Sequence, residues 1–121
     1  VDSPPLPRLS LSLSIVFASG SRIGSDKFRL LQFIHDTGSI SGGAREMGVS
    51  DKRTLVLLDS INQAFMEPVV LTLPGGGARL TPLGLFVLAR YCKIAERAAA
   101  LAADDLASLA ELARLDVDPK G

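Results

Sequence analysis

The sequence predicts a mainly α-helical fold with a small β-sheet, and three observations carry that reading. Apolar residues recur at helical spacing in two segments between residues 25 and 65, with a short capped helix between them. A β-branched run, a glycine-rich tip and a short return follow from Val69 to Thr81, the pattern of a hairpin. From Pro82 onward Ala, Leu, Arg and Glu dominate, with no further proline before Leu115, so a long helix closes the series.

The elements come in this order. Residues 1–8 contain Pro4, Pro5 and Pro7 without periodicity and are expected to form a flexible arm. Leu9, Leu11, Leu13, Ile15 and Phe17 alternate with Ser10, Ser12, Ser14 and Val16, which predicts a half-buried strand. Ser19, Gly20, Ser21 and Gly24 supply its turn. Phe28, Leu30, Leu31, Phe33 and Ile34 predict a helix over 25–37, capped by Ser25 or Gly24 and ended by Gly38. A short helix from about Ser41 to Met47 follows, with Ser39 or Ser41 as its cap and Gly48 as its stop. After Ser50 a third helix runs to about Phe65, with Thr54, Leu57, Leu58, Ile61 and Phe65 on one face. Glu67-Pro68 breaks it. Strands at 69–73 and 78–81 flank Pro74-Gly75-Gly76-Gly77, and Thr81 caps a helix that opens with Pro82. That helix runs for about 30 residues, or divides in two near Ala103-Asp104.

Composition narrows the function classes. The 121 residues hold 13 basic and 13 acidic side chains, and 47% of them are hydrophobic, which fits one folded domain and excludes a disordered chain. No apolar run approaches the ~18 residues of a membrane-spanning helix, and no signal peptide pattern opens the chain. The lone Cys92 excludes an internal disulfide and a Cys-built metal site, so the expected setting is cytoplasmic. His35 is the only histidine and has no nucleophile or metal-ligand set around it, so no enzyme is expected. Gly75-Gly76-Gly77 lacks the Gly-Lys-Ser/Thr of a nucleotide loop. Cys92 is expected as a small buried residue at a helix interface.

The segment Gly38 to Ser50 carries the functional signal. A helix-turn-helix needs a small residue where its helices cross, supplied by Ala44. It needs a residue free to take positive φ four positions later, supplied by Gly48, and an apolar plug, supplied by Val49. Leu57, Leu58 and Ile61 then face back on the second helix, and the hairpin downstream supplies a wing. Together these predict a winged helix-turn-helix over residues 9–81, with 82–121 as a C-terminal dimerisation helix and acidic tail.

The chain resembles the N-terminal DNA-binding domain of the ModE family of molybdate-responsive transcription regulators, and more distantly that of LysR-type regulators. The residues concerned are Gly38-Ser39-Ile40-Ser41, Ala44, Gly48-Val49-Ser50 with Lys52, and Ile61-Asn62-Gln63. Gly75-Gly76-Gly77-Ala78 and Leu80-Thr81-Pro82-Leu83-Gly84 complete the likeness, from about Leu9 to Ala98. The resemblance implies a sequence-specific regulator of transcription. Family members continue into a separate molybdate-binding region after the long helix, whereas this sequence supplies no oxyanion pocket, so neither molybdate nor another small-molecule ligand is expected here.

Double-stranded DNA and a second copy are the expected partners, with no membrane. The third helix is expected in the major groove, where Lys52 and Arg53 leave its first turn toward bases or phosphates. Ser39, Ser41 and Ser50 can donate to phosphates beside helix N-termini, and Arg45 and Arg79 suit backbone contacts. Asp51 favours the helix dipole but repels phosphate, while Leu55 and Val56 suit thymine methyl groups. Leu85, Leu88, Ala89, Cys92, Ala95, Ala99 and Ala102 form the expected dimerisation stripe. The alternative is an interaction module that has lost DNA binding. The zero net charge does not argue against DNA: residues 1–103 hold 11 basic and 8 acidic side chains, and residues 104–121 hold 2 and 5.

Overall fold

Gly38 and Gly48 take positive φ angles of 71° and 73°, a backbone state open chiefly to glycine, and so end two successive helices. The result is α1 (Ser25–Thr37), α2 (Ile40–Met47) and α3 (Asp51–Gln63). The computed structural model describes residues 9–114, and the expected arm at 1–8 lies outside them. Ser39 caps α2 by accepting from the Gly42 N–H at 2.8 Å, and Ser50 caps α3 by accepting from the Arg53 N–H at 3.0 Å. Gly24 precedes α1 without a side-chain cap bond.

The β structure is smaller than expected and divided. β1 (Ile15–Val16) and β2 (Arg22–Ile23) form one antiparallel pair, β3 (Val70–Thr72) and β4 (Ala78–Leu80) another. The strand expected from Leu9 shrinks to two residues, because the Ala18–Ser21 turn brings only Ile15 and Val16 opposite a partner. Earlier residues bond by other means: Ser12 and Ser25 hydroxyls lie 2.8 Å apart, and the Tyr91 hydroxyl donates to the Leu13 carbonyl at 3.1 Å. Pro74–Gly76 forms a single 3-10 turn at the tip of the β3–β4 hairpin. The hairpin is fastened just behind its tip, where Ala78, opposite Thr72, donates its N–H to the Gly38 carbonyl at 3.1 Å. Beyond it, α4 (Pro82–Leu101) and α5 (Ala103–Leu112) are separated at Ala102, so the second of the two expected arrangements is the one found.

The core gathers around α1. Leu30, Leu31 and Ile34 are fully buried and meet Leu58 and Ile61 from α3 with Val69 and Val70 from the start of the hairpin. Thr54 is the one buried polar residue among the described residues, and its hydroxyl donates to the Ser50 carbonyl at 3.0 Å. The close approach of α2 to α1 falls on Gly42 and Gly43 as well as on the buried Ala44. A Cβ on Gly43 would come within 2.7 Å of Ile34 Cδ1.

Asn62 and Gly84 position the hairpin and α4 after α3. The Asn62 side chain accepts from the Val69 and Val70 N–H groups at 2.8 and 3.1 Å and donates to the Val70 carbonyl at 3.0 Å. It thereby replaces a neighbouring strand. Gly84, in the first turn of α4, lies against the same backbone, and a Cβ there would fall on the Val69 carbonyl oxygen. Farther along α4, Tyr91 stacks on Phe28 with ring centroids 3.7 Å apart. Burial pushes its phenol above the usual 10, with the neighbouring Cys92 adding to the rise.

Three outcomes are expected. Gly84→Ala forces α4 off the hairpin and lowers stability by about 1–3 kcal/mol in urea unfolding. Asn62→Ala removes three backbone bonds at once and costs about 2–3 kcal/mol by the same measurement. The raised Tyr91 phenol means that the folded state holds this proton more tightly than the unfolded chain. Its contribution is therefore complete below pH 10 and is lost as pH rises through the raised value. The urea midpoint should fall more steeply above pH 10 in the wild type than in Tyr91→Phe.

Candidate nucleic-acid interface

α2 and α3 are joined by a tight turn in which the Gly48 N–H donates to the Arg45 carbonyl and the Val49 N–H to the Ala44 carbonyl, at 3.2 and 3.0 Å. The turn leaves α3 with one buried face, Thr54, Leu58 and Ile61, and one solvent face. At about 100° per residue Lys52, Val56, Asp59 and Gln63 share the middle of the solvent face. Arg53 and Ser60 lie on one flank. Leu55 lies on the other, where it lines a groove with Pro68, Leu71 and Thr72 of the hairpin.

The predicted contact residues separate into two groups. Lys52, Arg53, Arg45 and Arg79 are all exposed. Among the described residues the only ion pair is Arg29–Asp26 at 3.4 Å, so these four cations have no carboxylate partner there. Leu55 and Val56 are 44% and 52% exposed, as a surface that meets methyl groups requires. The serines are more constrained. Ser39 and Ser50 oxygens are engaged as caps, and the Ser41 hydroxyl donates to Asp51 Oδ2 at 2.7 Å. That bond ties the first turn of α2 to the first turn of α3, and it turns Asp51 toward the protein.

Sequence reasoning passes over Asp59 on this face and gives Gln63 no role beyond the resemblance. Asp59 lies mid-helix and accepts from the Gln63 side chain at 2.9 Å. Their spacing of four residues is the available signal. The solvent face of α3 therefore carries the carboxylate of Asp59 beside its two cations, and its electrostatic attraction for a polyanion resides in the first turn and in Arg45 and Arg79.

The expected dimerisation stripe is only partly free. Leu88 is 7% exposed and belongs to the core, where it packs near Phe28 and Tyr91, and Ala95 is half-buried. Leu85, Ala89, Cys92 and Ala99 are exposed, so the expectation of a covered Cys92 is not met within one chain. The larger exposed side chains of α4, Phe86, Ile94 and Leu101, lie on its other edge. Among the described residues no cluster of potential metal ligands occurs, and no helix is long and apolar enough to cross a membrane.

No protein-family model matches the chain. It is similar to several characterised proteins. Over 77 residues it is 42% identical to the molybdenum-pterin-binding protein MopB of Rhodobacter capsulatus, a match that covers 60% of this chain and 28% of that protein. The molybdenum-pterin-binding protein MopA of the same organism is 37% identical over 87 residues, 69% of this chain and 33% of its own. The molybdenum transport protein ModE of Herbaspirillum seropedicae is 37% identical over 93 residues, 74% of this chain and 33% of its own. The chain is thus related to the ModE and Mop molybdenum proteins, and spans about a third of the length of the relatives it matches.

Proposed function

We propose that the chain is a winged helix-turn-helix that binds double-stranded DNA as a homodimer and regulates transcription, with α3 in the major groove. The observation that carries this reading is the first turn of α3. Lys52 and Arg53 leave it unpaired and exposed, beside a glycine-tipped hairpin that Asn62 fixes to the same helix. Such a helix reads base edges from its N-terminal turn while the hairpin lies along the backbone. Arg45 and Arg79 then neutralise phosphates on either side. The relatives' names speak of molybdenum; in this reading the third of their length that the chain spans serves DNA, and no oxyanion is expected on it.

Leu55 and Val56, with Asp51 and Asp59 on the same helix, favour a protein partner as the second reading. Fluorescence anisotropy with duplex DNA from upstream of its own gene, repeated at several salt concentrations, separates the two. DNA binding predicts a specific complex whose affinity falls steeply with salt. Absence of any complex at low salt favours the protein partner.

Within the DNA reading, Lys52→Ala with Arg53→Ala should weaken the specific complex by about 1–3 kcal/mol for each side chain that pairs with a base, or flatten the salt slope by about 1 for each that neutralises a phosphate. Unchanged affinity and slope would overturn the placement of α3. Arg79→Ala should weaken specific and unrelated duplexes alike.

A further inference from the structure

Asp51 opens α3, yet its carboxylate is neither a cap nor half of an ion pair. Ser50 supplies the cap by accepting from the Arg53 N–H, and the only ion pair among the described residues is Arg29–Asp26. Asp51 Oδ2 accepts from the Ser41 hydroxyl at 2.7 Å, whereas Oδ1 has no partner among the described residues. Both residues remain exposed. Leu55, one turn farther on the same flank of α3, is 44% exposed, so that flank is open from its first residue onward.

The serine that holds Asp51 stands on a rigid turn. Ser39 caps α2 at the Gly42 N–H, and a Cβ on Gly42 would come within 2.6 Å of the Thr37 side chain. The first turn of α2 is thus seated against the end of α1 without slack. The bonds of Gly48 and Val49 to the Arg45 and Ala44 carbonyls then set where α3 begins. Asp51 is held through its backbone by that turn and through Oδ2 by Ser41, which leaves Oδ1 as a placed acceptor.

We infer that Asp51 Oδ1 accepts from the N4 amino group of a cytosine in the major groove, with Ser41 as its positioning residue. This rests on the DNA reading proposed above and names a base that the site selects. The N-terminal residues of a helix lying in the major groove are the ones that reach base edges. An ionised carboxylate only accepts hydrogen bonds. Of the groups presented in that groove, only cytosine N4 and adenine N6 donate. Adenine sets the N7 acceptor beside its amino group, and guanine and thymine present acceptors alone, so each repels the carboxylate. Cytosine offers a donor with no acceptor beside it on the same base. The result is selectivity more than strength. A negative charge near a polyanion weakens every complex, and a donor at that one position offsets the loss.

Selection of bound duplexes from a library with randomised positions, with the full chain and its variants, tests this. Anisotropy titrations then compare the four base pairs at the position that responds to Asp51. The wild type should select cytosine there and bind the other three pairs about tenfold more weakly. Asp51→Asn keeps an acceptor for Ser41 but turns an amino group toward the DNA in place of Oδ1. Its preference should therefore pass from cytosine to a base that presents an acceptor. Ser41→Ala should narrow the cytosine preference about threefold or more, while Ser41→Thr, which keeps the hydroxyl, should retain it. Unchanged preferences elsewhere in the site show that the variants fold and dock. If Asp51→Asn selects the same site as the wild type, or raises affinity for every duplex by one factor, Asp51 reads no base. The inference then falls while the DNA reading stands. A wild type that forms no sequence-selective complex overturns the DNA reading and this inference with it.

Discussion

The Asn62 side chain makes three hydrogen bonds to the backbone of Val69 and Val70, and the position of every element after α3 depends on them. Two valines entering a hairpin present polar backbone groups inside a hydrophobic core, where leaving them unpaired costs about 1–3 kcal/mol each. In a larger sheet another strand would supply the partners. Here the carboxamide, with a donor and an acceptor side by side, does so from the last turn of α3. The bond set couples a helix that faces solvent to the hairpin beside it. Gly84 then brings α4 against the same stretch of backbone, so α3, the hairpin and α4 meet at Val69.

Much of this arrangement is legible in the sequence because glycine, proline and the small polar caps mark helix ends through local geometry alone. Gly38, Gly48, Ser50 and Thr81 stand where the chain changes direction, as their φ angles and cap bonds confirm. The periodicity of α3 likewise places Thr54, Leu58 and Ile61 inside. Tertiary pairing is not legible in the same way. Alternation from Leu9 to Phe17 matches the half-burial of Leu9, Leu13, Ile15 and Phe17, though Leu11 is exposed, but a strand also needs a partner at each position, and only Ile15 and Val16 have one. Leu88 shares its helical spacing with Leu85 and Cys92, which suggests a free stripe. Its burial depends on where α1 lies, which no pattern within α4 encodes. Asn62 stands out in the sequence only through a resemblance, whereas its structural task emerges once β3 is in place.

The candidate site shows the same division. Exposure of Lys52, Arg53, Arg45 and Arg79 follows from their positions on solvent faces, and all four are accessible. The Ser41–Asp51 bond joins residues from two helices and changes what each can offer a ligand. A serine whose proton is already engaged is a poorer donor to phosphate, and a carboxylate so engaged repels phosphate less. The electrostatic character of the face is thus set by pairing across the turn rather than by the count of charges along α3.

The hairpin is stiff where it is rooted and compliant where it ends. Its base is tied to α3 through Asn62, and the stretch just behind the tip is tied to the α1–α2 junction through Gly38 and Ala78. Gly75 and Gly76, with φ of 83° and 91°, form the tip. Conformational adjustment to a surface is therefore confined to a few residues without side-chain bulk, and the entropy given up on docking is confined with it. The tip can thus adjust its backbone while the root keeps a constant angle to α3. For the DNA complex proposed above, this sets a fixed spacing between α3 and the hairpin, with a soft point at the tip.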